Sequence, residues 1–486
     1  MDFLAHTADA LWNPWLLGLF LAAGLVYSAG SGFFQLFEFP TWWRSTAGAL
    51  FQRRKRSKGG LSPLQALATA LASTMGTGSI AGVATALTLG GPGAVFWMWI
   101  SALLGMMTSC GEKLLAVKYQ RSGPDGSLRG GPMYYLRDGL RSPLLAVCFC
   151  LACIPATLAG GNLVQSSSIA AGLEAAFHLP RLPVGLVTAL LAGLVMVGGL
   201  GRIAAVSSAL VPAMALLYLG SGGAVLVANW EKIPDAVGTI LSCALSPGAV
   251  AGGGVGWTVS TALRYGVSRG VFTNEAGLGT SAMAHGAAKA DCPTQQGLWG
   301  IFEVFLSTIL VCTVTALAIL VSGVWTPADP AAPTGAPLTA AAFASVLGKP
   351  GEGVVAVSLL LFAFSSILGW SYYGQQCLEF LSGGQLLPAY RVIFLLCTLL
   401  GAVWEADLIW QLTDLCNALM ALPNLTALLF LAPQALRDLA RWRAEEKPLS
   451  KRRKWKNPID SRGKCAYHKD RKCALAQNKG ATHYDL

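Results

Sequence analysis

The chain has 486 residues, 54% of them hydrophobic and only 12% charged, against about 25% charged in soluble domains. Long uncharged runs recur along it, which excludes an ordinary soluble domain and describes a polytopic, all-α membrane protein. A net charge of +11 would suit nucleic acid, but 15 of the 35 Lys and Arg lie between Arg437 and Lys479, six in 44–58 and six in 113–141; membrane topology explains such clustering, and no nucleic-acid partner is expected.

In chain order, Met1 to Asn13 holds acids and no Lys or Arg, unlike the basic start of a cleaved signal peptide. About eleven membrane helices follow, at 14–37, 62–89, 93–118, 143–176, 183–200, 203–228, 257–286, 298–323, 353–381, 389–405 and 408–433. The connection 118–141, with "SGPDGS" and "RGGP", reads as a polar loop carrying a short surface helix. The uncharged, Pro- and Ala-rich 324–351 reads as an external loop.

With the N-terminus outside, the basic segments 44–58, 113–141, Arg202, Lys289, Arg391 and the tail all fall in the cytoplasm. Only Arg181, Lys232 and Lys349 remain for the external loops, so the expected orientation is N-terminus out and C-terminus in. The implied organisation is 1–60, an N-terminal helix and basic loop; 61–230 and 231–436, five helices each; and 437–486, a basic cytoplasmic tail. That tail could attract anionic lipid, or simply be solvated. Its Cys465, His468 and Cys473 fit no zinc spacing, and Cys148, Cys150 and Cys153 read as small hydrophobes in an apolar segment.

Two spans contain their own interruption. "MGTGS", Met75 to Ser79, lies inside 53 consecutive uncharged residues, Gly59 to Gly111. "GVFTNEAGLGTSAMAH", Gly270 to His285, places Asn274, Glu275, Gly277 and Gly279 in an apolar helix. Glycine also serves close helix packing, so either stretch alone would leave both readings open. The paired position and an acid at membrane depth favour breaks. With the first helix set aside, the breaks fall in the first and sixth of ten helices, which run in opposite directions, the pattern of an inverted 5+5 repeat. An unwound turn frees N–H groups for a carboxylate and C=O groups for a hard cation.

These stretches resemble the bacterial and archaeal sodium:alanine (alanine or glycine:cation) symporter family, of the amino acid-polyamine-organocation superfamily. The blocks that carry the resemblance include "LATALASTMGTGSIAGVATAL", "GGPGAVFWMWISALLGM", "GNLVQSSSIA", "GVSRGVFTNEAGLGTSAMAHGAA", "FSSILGWSYYG" and "LMALPNLTALL", from about residue 60 to 430. The resemblance implies a leucine-transporter-like fold with one extra N-terminal helix, in a bacterial cell (inner) membrane. It implies symport of sodium with a small neutral amino acid, alanine or glycine, and no organic cofactor.

Residue by residue, it implies that the Thr77 and Gly78 amides meet the substrate carboxylate beside Ser79. Gln165, Asn274, Gly277 and Gly279 would complete the pocket, and Trp370 would limit side-chain size. Ser365 and Ser366, with the carbonyls of Ala72 and Met75, would hold sodium. The chain departs from the family pattern at Ser79, where Asn is usual, at Ser307, where an acid is usual, and at Gln375, where Glu is usual.

Proton coupling through Glu275, Glu303 or Asp414, and a transport-impaired amino-acid sensor of the same fold, are the alternative readings. An enzyme is not expected, since four of the five His lie outside the spans and His285 has no evident catalytic partner. The sequence does not address oligomeric state.

Overall fold

The computed structural model describes residues 11–12, 14–49, 60–123, 126–245, 258–326, 333–404 and 406–446. The described residues are almost wholly helical. The first helix, α1 (Pro14–Gly30), is shorter than the expected 14–37. Left-handed Gly32 (φ 69°) ends it, and the Phe33 N–H turns back to the Ser28 carbonyl at 2.6 Å. The chain then continues in short helices at Phe34–Phe37 and Phe39–Ser45.

The first interrupted span is two helices, α2 (Pro63–Thr74) and α3 (Ala81–Gly90), separated by a 3₁₀ turn at Thr77–Ser79. A capping box between Ser62 and Gln65 starts α2. Then come α4 (Gly93–Lys118), α5 (Pro143–Phe177), α6 (Arg181–Val197) and α7 (Gly199–Ala228). Helix α8 (Ile233–Leu245), unforeseen in the sequence, buries Ala236, Ile240, Cys243 and Ala244 on one face. The second interrupted span is α9 (Val259–Asn274) and α10 (Thr280–Gly286). The remaining helices are α11 (Pro293–Ser322), α12 (Ala336–Leu347), α13 (Lys349–Ser382), α14 (Leu387–Val403) and α15 (Ala406–Glu446).

Three expectations need correction. The segment 324–351 is not only loop, because α12 lies within it between Gly335 (φ 62°) and Gly348 (φ 64°). The last helix does not stop near 433: it passes through Pro423 and Pro433 to Glu446, so the proposed tail boundary at 437 falls inside a helix. The basic tail itself, from 447, lies outside the described residues, as do 50–59 of the first basic loop. The 118–141 connection holds a hairpin, β1 (Arg121–Ser122) with β2 (Leu128–Arg129), and a helical stretch at 132–139 whose first residues, Pro132 to Leu136, are buried rather than on the surface.

Among the described residues six helices are long and apolar enough to cross a bilayer: α4, α5, α7, α11, α13 and α15. Leu186, Leu190 and Leu194 form an exposed apolar row on α6, as lipid contact requires. At the centre α4 packs against α9, α10 and α11.

The two interrupted pairs are antiparallel. Leu61, just before α2, donates its N–H to the Ala287 carbonyl just after α10 (3.2 Å), and Lys289 returns a bond to the Leu61 carbonyl (2.9 Å). At the other end Gly90 of α3 faces Thr261 and Tyr265 of α9, where a Cβ on Gly90 would come within 3.0 Å of the tyrosine.

Candidate functional site

Helix α2 ends because Met75 leaves the helical region (ψ 60°) and Gly76 is extended (φ −97°, ψ −155°). A Cβ on Gly76 would meet Ser366 Oγ at 2.5 Å and Gln165 Oε1 at 3.0 Å, so a side chain has no room here. Four neighbouring helices then take the groups the break exposes. Gln165 Oε1 on α5 accepts from the Thr77 N–H at 3.2 Å. On α13, Ser365 and Ser366 donate to the Ala72 carbonyl at 3.0 and 3.1 Å, and Ser366 also lies 2.8 Å from the Ser73 carbonyl. Thr315 of α11 donates to the Ser79 carbonyl at 2.8 Å. Thr339 of α12 donates to the Ile80 carbonyl at 3.2 Å.

Both helices flanking this turn are locally widened to π geometry, at Ala159–Leu163 in α5 and Phe305–Cys312 in α11. Such bulges displace side chains from regular helical register, and they are frequent at functional sites. The first sets up Gln165; the second ends beside Ser79 and Thr315.

The end of α9 closes the space. A Cβ on Gly78 would stand 2.8 Å from Thr273 Oγ1 and 3.0 Å from the Phe272 ring. Phe272 in turn leans on Trp410 of α15, ring centres 5.1 Å apart. Trp370 packs against Gly161 and Tyr373 and reaches the Glu275 carboxyl. Thr77 Oγ1, Ser79 Oγ and Asn274 Nδ2 are buried and have no nitrogen or oxygen partner among the described residues, Ser79 having only the Cys312 thiol beside it. Buried polar groups are normally paired, so three orphans at two breaks make the breaks the candidate site.

The structure thus brings Ala72, Thr77, Gly78, Ser79, Gln165, Ser365 and Ser366 together around the first break. Met75 caps α2, donating its N–H to the Leu71 carbonyl at 2.8 Å, and no side-chain oxygen among the described residues engages it. Gly277 and Gly279 face another way. The Gly277 N–H donates to Glu112 Oε1 (3.0 Å) and its carbonyl accepts from Asn424 Nδ2 (2.8 Å), while Gly279 abuts Pro132 and Asn424. Asn424 also donates to Glu112 Oε1 at 2.7 Å and pairs with the Tyr135 hydroxyl.

Of the three departures, Ser79 is one of the orphans, Ser307 contacts Thr308 and Cys312, and Gln375 Oε1 accepts from Arg391 Nε at 2.9 Å. The sequence reading missed Glu112, Lys113, Thr273, Phe272, Thr315, Thr339 and Asn424. "GEK" at 111–113 was the available signal for two of them: a charged pair that ends 53 uncharged residues yet continues in an apolar helix.

Beyond the first break a cavity of about 900 Å³ opens between α3, α5, α9, α12, α13 and α15. Thr85, Ser167, Arg264 and Glu352 line it. At its base Arg269 pairs with Asp414 (3.2 Å) and lies over the Trp410 ring (4.9 Å). At the opposite end Gln120 Nε2 donates to the Gly286 and Ala288 carbonyls (2.6 and 2.8 Å), Gly130 lies on Gly286, and Arg129 pairs with Glu379 at 2.7 Å.

The sequence pattern of the sodium:alanine symporter family matches residues 1–456. An uncharacterized transporter of Haemophilus influenzae is 43% identical over 88% of this chain and 93% of its own length. The sodium/alanine symporter AgcS of Methanococcus maripaludis is 40% identical over 89% and 95%. A probable sodium/glutamine symporter, GlnT of Bacillus subtilis, is 36% identical over 89% of each.

Proposed function

The chain belongs to the sodium:alanine symporter family, a family of transporters rather than enzymes, and from that premise we propose that it imports alanine or glycine together with sodium. The observation that carries the reading is the first break. There a main-chain N–H, a side-chain amide and two hydroxyls with no nitrogen or oxygen partner among the described residues surround one turn, and two adjacent serine hydroxyls meet one carbonyl beside it. The amides at Thr77–Gly78, with Gln165 and Ser79, suit a carboxylate and an ammonium; the Ala72 carbonyl with Ser365 and Ser366 suits sodium, a hard cation that prefers oxygen.

Gly78 packs closely on Phe272, and Gly161 on Trp370, a crowding that supports a substrate with a methyl side chain or none. The relative named for glutamine makes side-chain size the point to test. Asn274 would complete the pocket from the second break, while Gly277 and Gly279 would shape that break rather than touch substrate.

The proposed frame is an inverted 5+5 repeat preceded by α1, with α2–α7 in the first half, α9–α15 in the second, and eleven crossings. The N-terminus lies outside, so the 900 Å³ cavity faces out and the Gln120–Gly286 contact faces in. The antiparallel broken pairs support this frame.

The test is uptake of labelled alanine into proteoliposomes with a sodium gradient or a proton gradient imposed separately, with glycine, serine and glutamine as competitors. Accumulation driven by sodium and blocked by glycine supports the proposal. Accumulation driven by protons alone would replace sodium as the coupling ion, and binding without accumulation would favour a sensor.

A further inference from the structure

Lys113 is completely buried in α4, six residues from the end of that helix. Its ammonium has three N–H bonds to give, and three oxygens on three helices take them. Ser109 Oγ, one turn back on α4, lies at 2.5 Å; Ser281 Oγ on α10 at 2.7 Å; and Glu303 Oε2 on α11 at 3.3 Å. Glu303 Oε2 is also 3.2 Å from His285 Nε2, and Gln296 Nε2 lies 2.7 Å from His285 Nδ1. Donation from Gln296 onto Nδ1 leaves the imidazole neutral, with its proton on Nε2 directed at the carboxylate. The cluster therefore holds one cation and one anion, and Glu303 Oε1 is buried without a partner among the described residues.

Two hydroxyls and a carboxylate converging on one point form the donor set of a small monovalent cation site. The point is occupied by an amine carried on the chain itself. We propose that Lys113 is a tethered cation, filling an oxygen cage that would otherwise take a free ion and thereby fixing α10, the second half of the second interrupted span, to α4 and α11.

The need for such an anchor follows from length. Helix α10 has seven residues, too few to persist on intrinsic helicity, and it follows a break with left-handed residues at Glu275, Gly277 and Gly279. Its position must come from tertiary contacts, and Ser281 and His285 both join this cluster. A covalently attached charge cannot be lost to solvent, so this link between α4, α10 and α11 does not depend on the concentration of any free ion. Lys113 is a positioning residue and touches none of the groups at 77–79.

The test uses the full chain, purified in detergent with choline as the background cation. Lys113→Ala should melt several degrees below the unmodified protein and recover most of that loss in ammonium or potassium, but not in tetramethylammonium. The unmodified protein and the double variant Lys113→Ala/Glu303→Gln should lack that response. In sodium-driven alanine uptake, Lys113→Ala should fall at least tenfold and be raised several-fold by ammonium. Absence of any ion response in Lys113→Ala, an equal response in the double variant, or full uptake without ammonium would each overturn the proposal. If Lys113→Ala does not fold, Ser281→Ala removes one cage oxygen and keeps the amine. It should lower both melting temperature and uptake, and an unchanged Ser281→Ala would likewise overturn the proposal. The melting arm does not depend on what is transported.

Discussion

Ser366 lies 3.1 and 2.8 Å from two successive main-chain carbonyls, yet a hydroxyl has one proton to share between them. When a cation sits on those oxygens the proton must swing away and a lone pair take its place. Ser366→Ala removes one such ligand, a change on the order of 1.5 kcal/mol, so the sodium concentration for half-maximal uptake should rise about tenfold. The apparent KM for alanine at saturating sodium should change far less, and sodium titration of uptake checks both. With Trp370 proposed as a wall of the pocket, Trp370→Ala should weaken alanine uptake and let serine, threonine or glutamine compete, as a competition series would measure. At this scale the sequence was legible wherever chemistry was local. "GTGS" is recognisable by itself, Gln165 and the serine pair came only through the family resemblance, and the Glu112–Asn424 bond joins residues 312 apart, so that no local pattern announces it.

Among the elements, the break between α2 and α3 depends on glycine for space. Gly78→Ala puts a methyl group 2.8 Å from Thr273 Oγ1 and 3.0 Å from Phe272, so the turn and the end of α9 must separate. Uptake should fall at least tenfold while the melting temperature moves by a few degrees, because one turn shifts and the helices on either side keep their packing. Both breaks were legible because Gly, Asn and Glu interrupt long apolar runs. Helix α12 was not, since "APLTAAAFASVL" carries no charge, is too short to span, and sits among prolines that suggest loop. Alanine is nonetheless the strongest helix former, and Pro337 stands in the first turn, where it costs no hydrogen bond. The expected span of α15 ended at 433, which is a proline, but packing against α5 and α4 carries the helix through both Pro423 and Pro433.

Across the whole molecule, one end is open and the other sealed by polar contacts. Arg129 with Glu379 and Lys118 with Asp438 (2.6 Å) tie the 118–131 segment to α13 and α15. Each pair is partly exposed and worth on the order of 1 kcal/mol, enough to shift an access equilibrium about fivefold. Arg129→Glu or Glu379→Arg alone should therefore favour opening at that end, measured as labelling of a cysteine placed at the buried Ala288, and the double exchange should restore protection. A cysteine at Ser168, in the open cavity, should react with an impermeant thiol reagent added from outside the cell.

The two short helices beside the broken spans are arranged crosswise. The 132–139 stretch, from the first half of the chain, lies against α10 in the second half; α12, from the second half, bonds to the Ile80 carbonyl in the first. Each broken helix therefore takes part of its support from the other half of the chain. Inheritance is then constrained as well as folding: a gene that exchanged one half with a distant relative would pair each broken helix with a foreign partner. Recombination within this family should succeed when α12 travels with α2–α3, and 132–139 with α9–α10, and fail when the chain is simply cut at its midpoint.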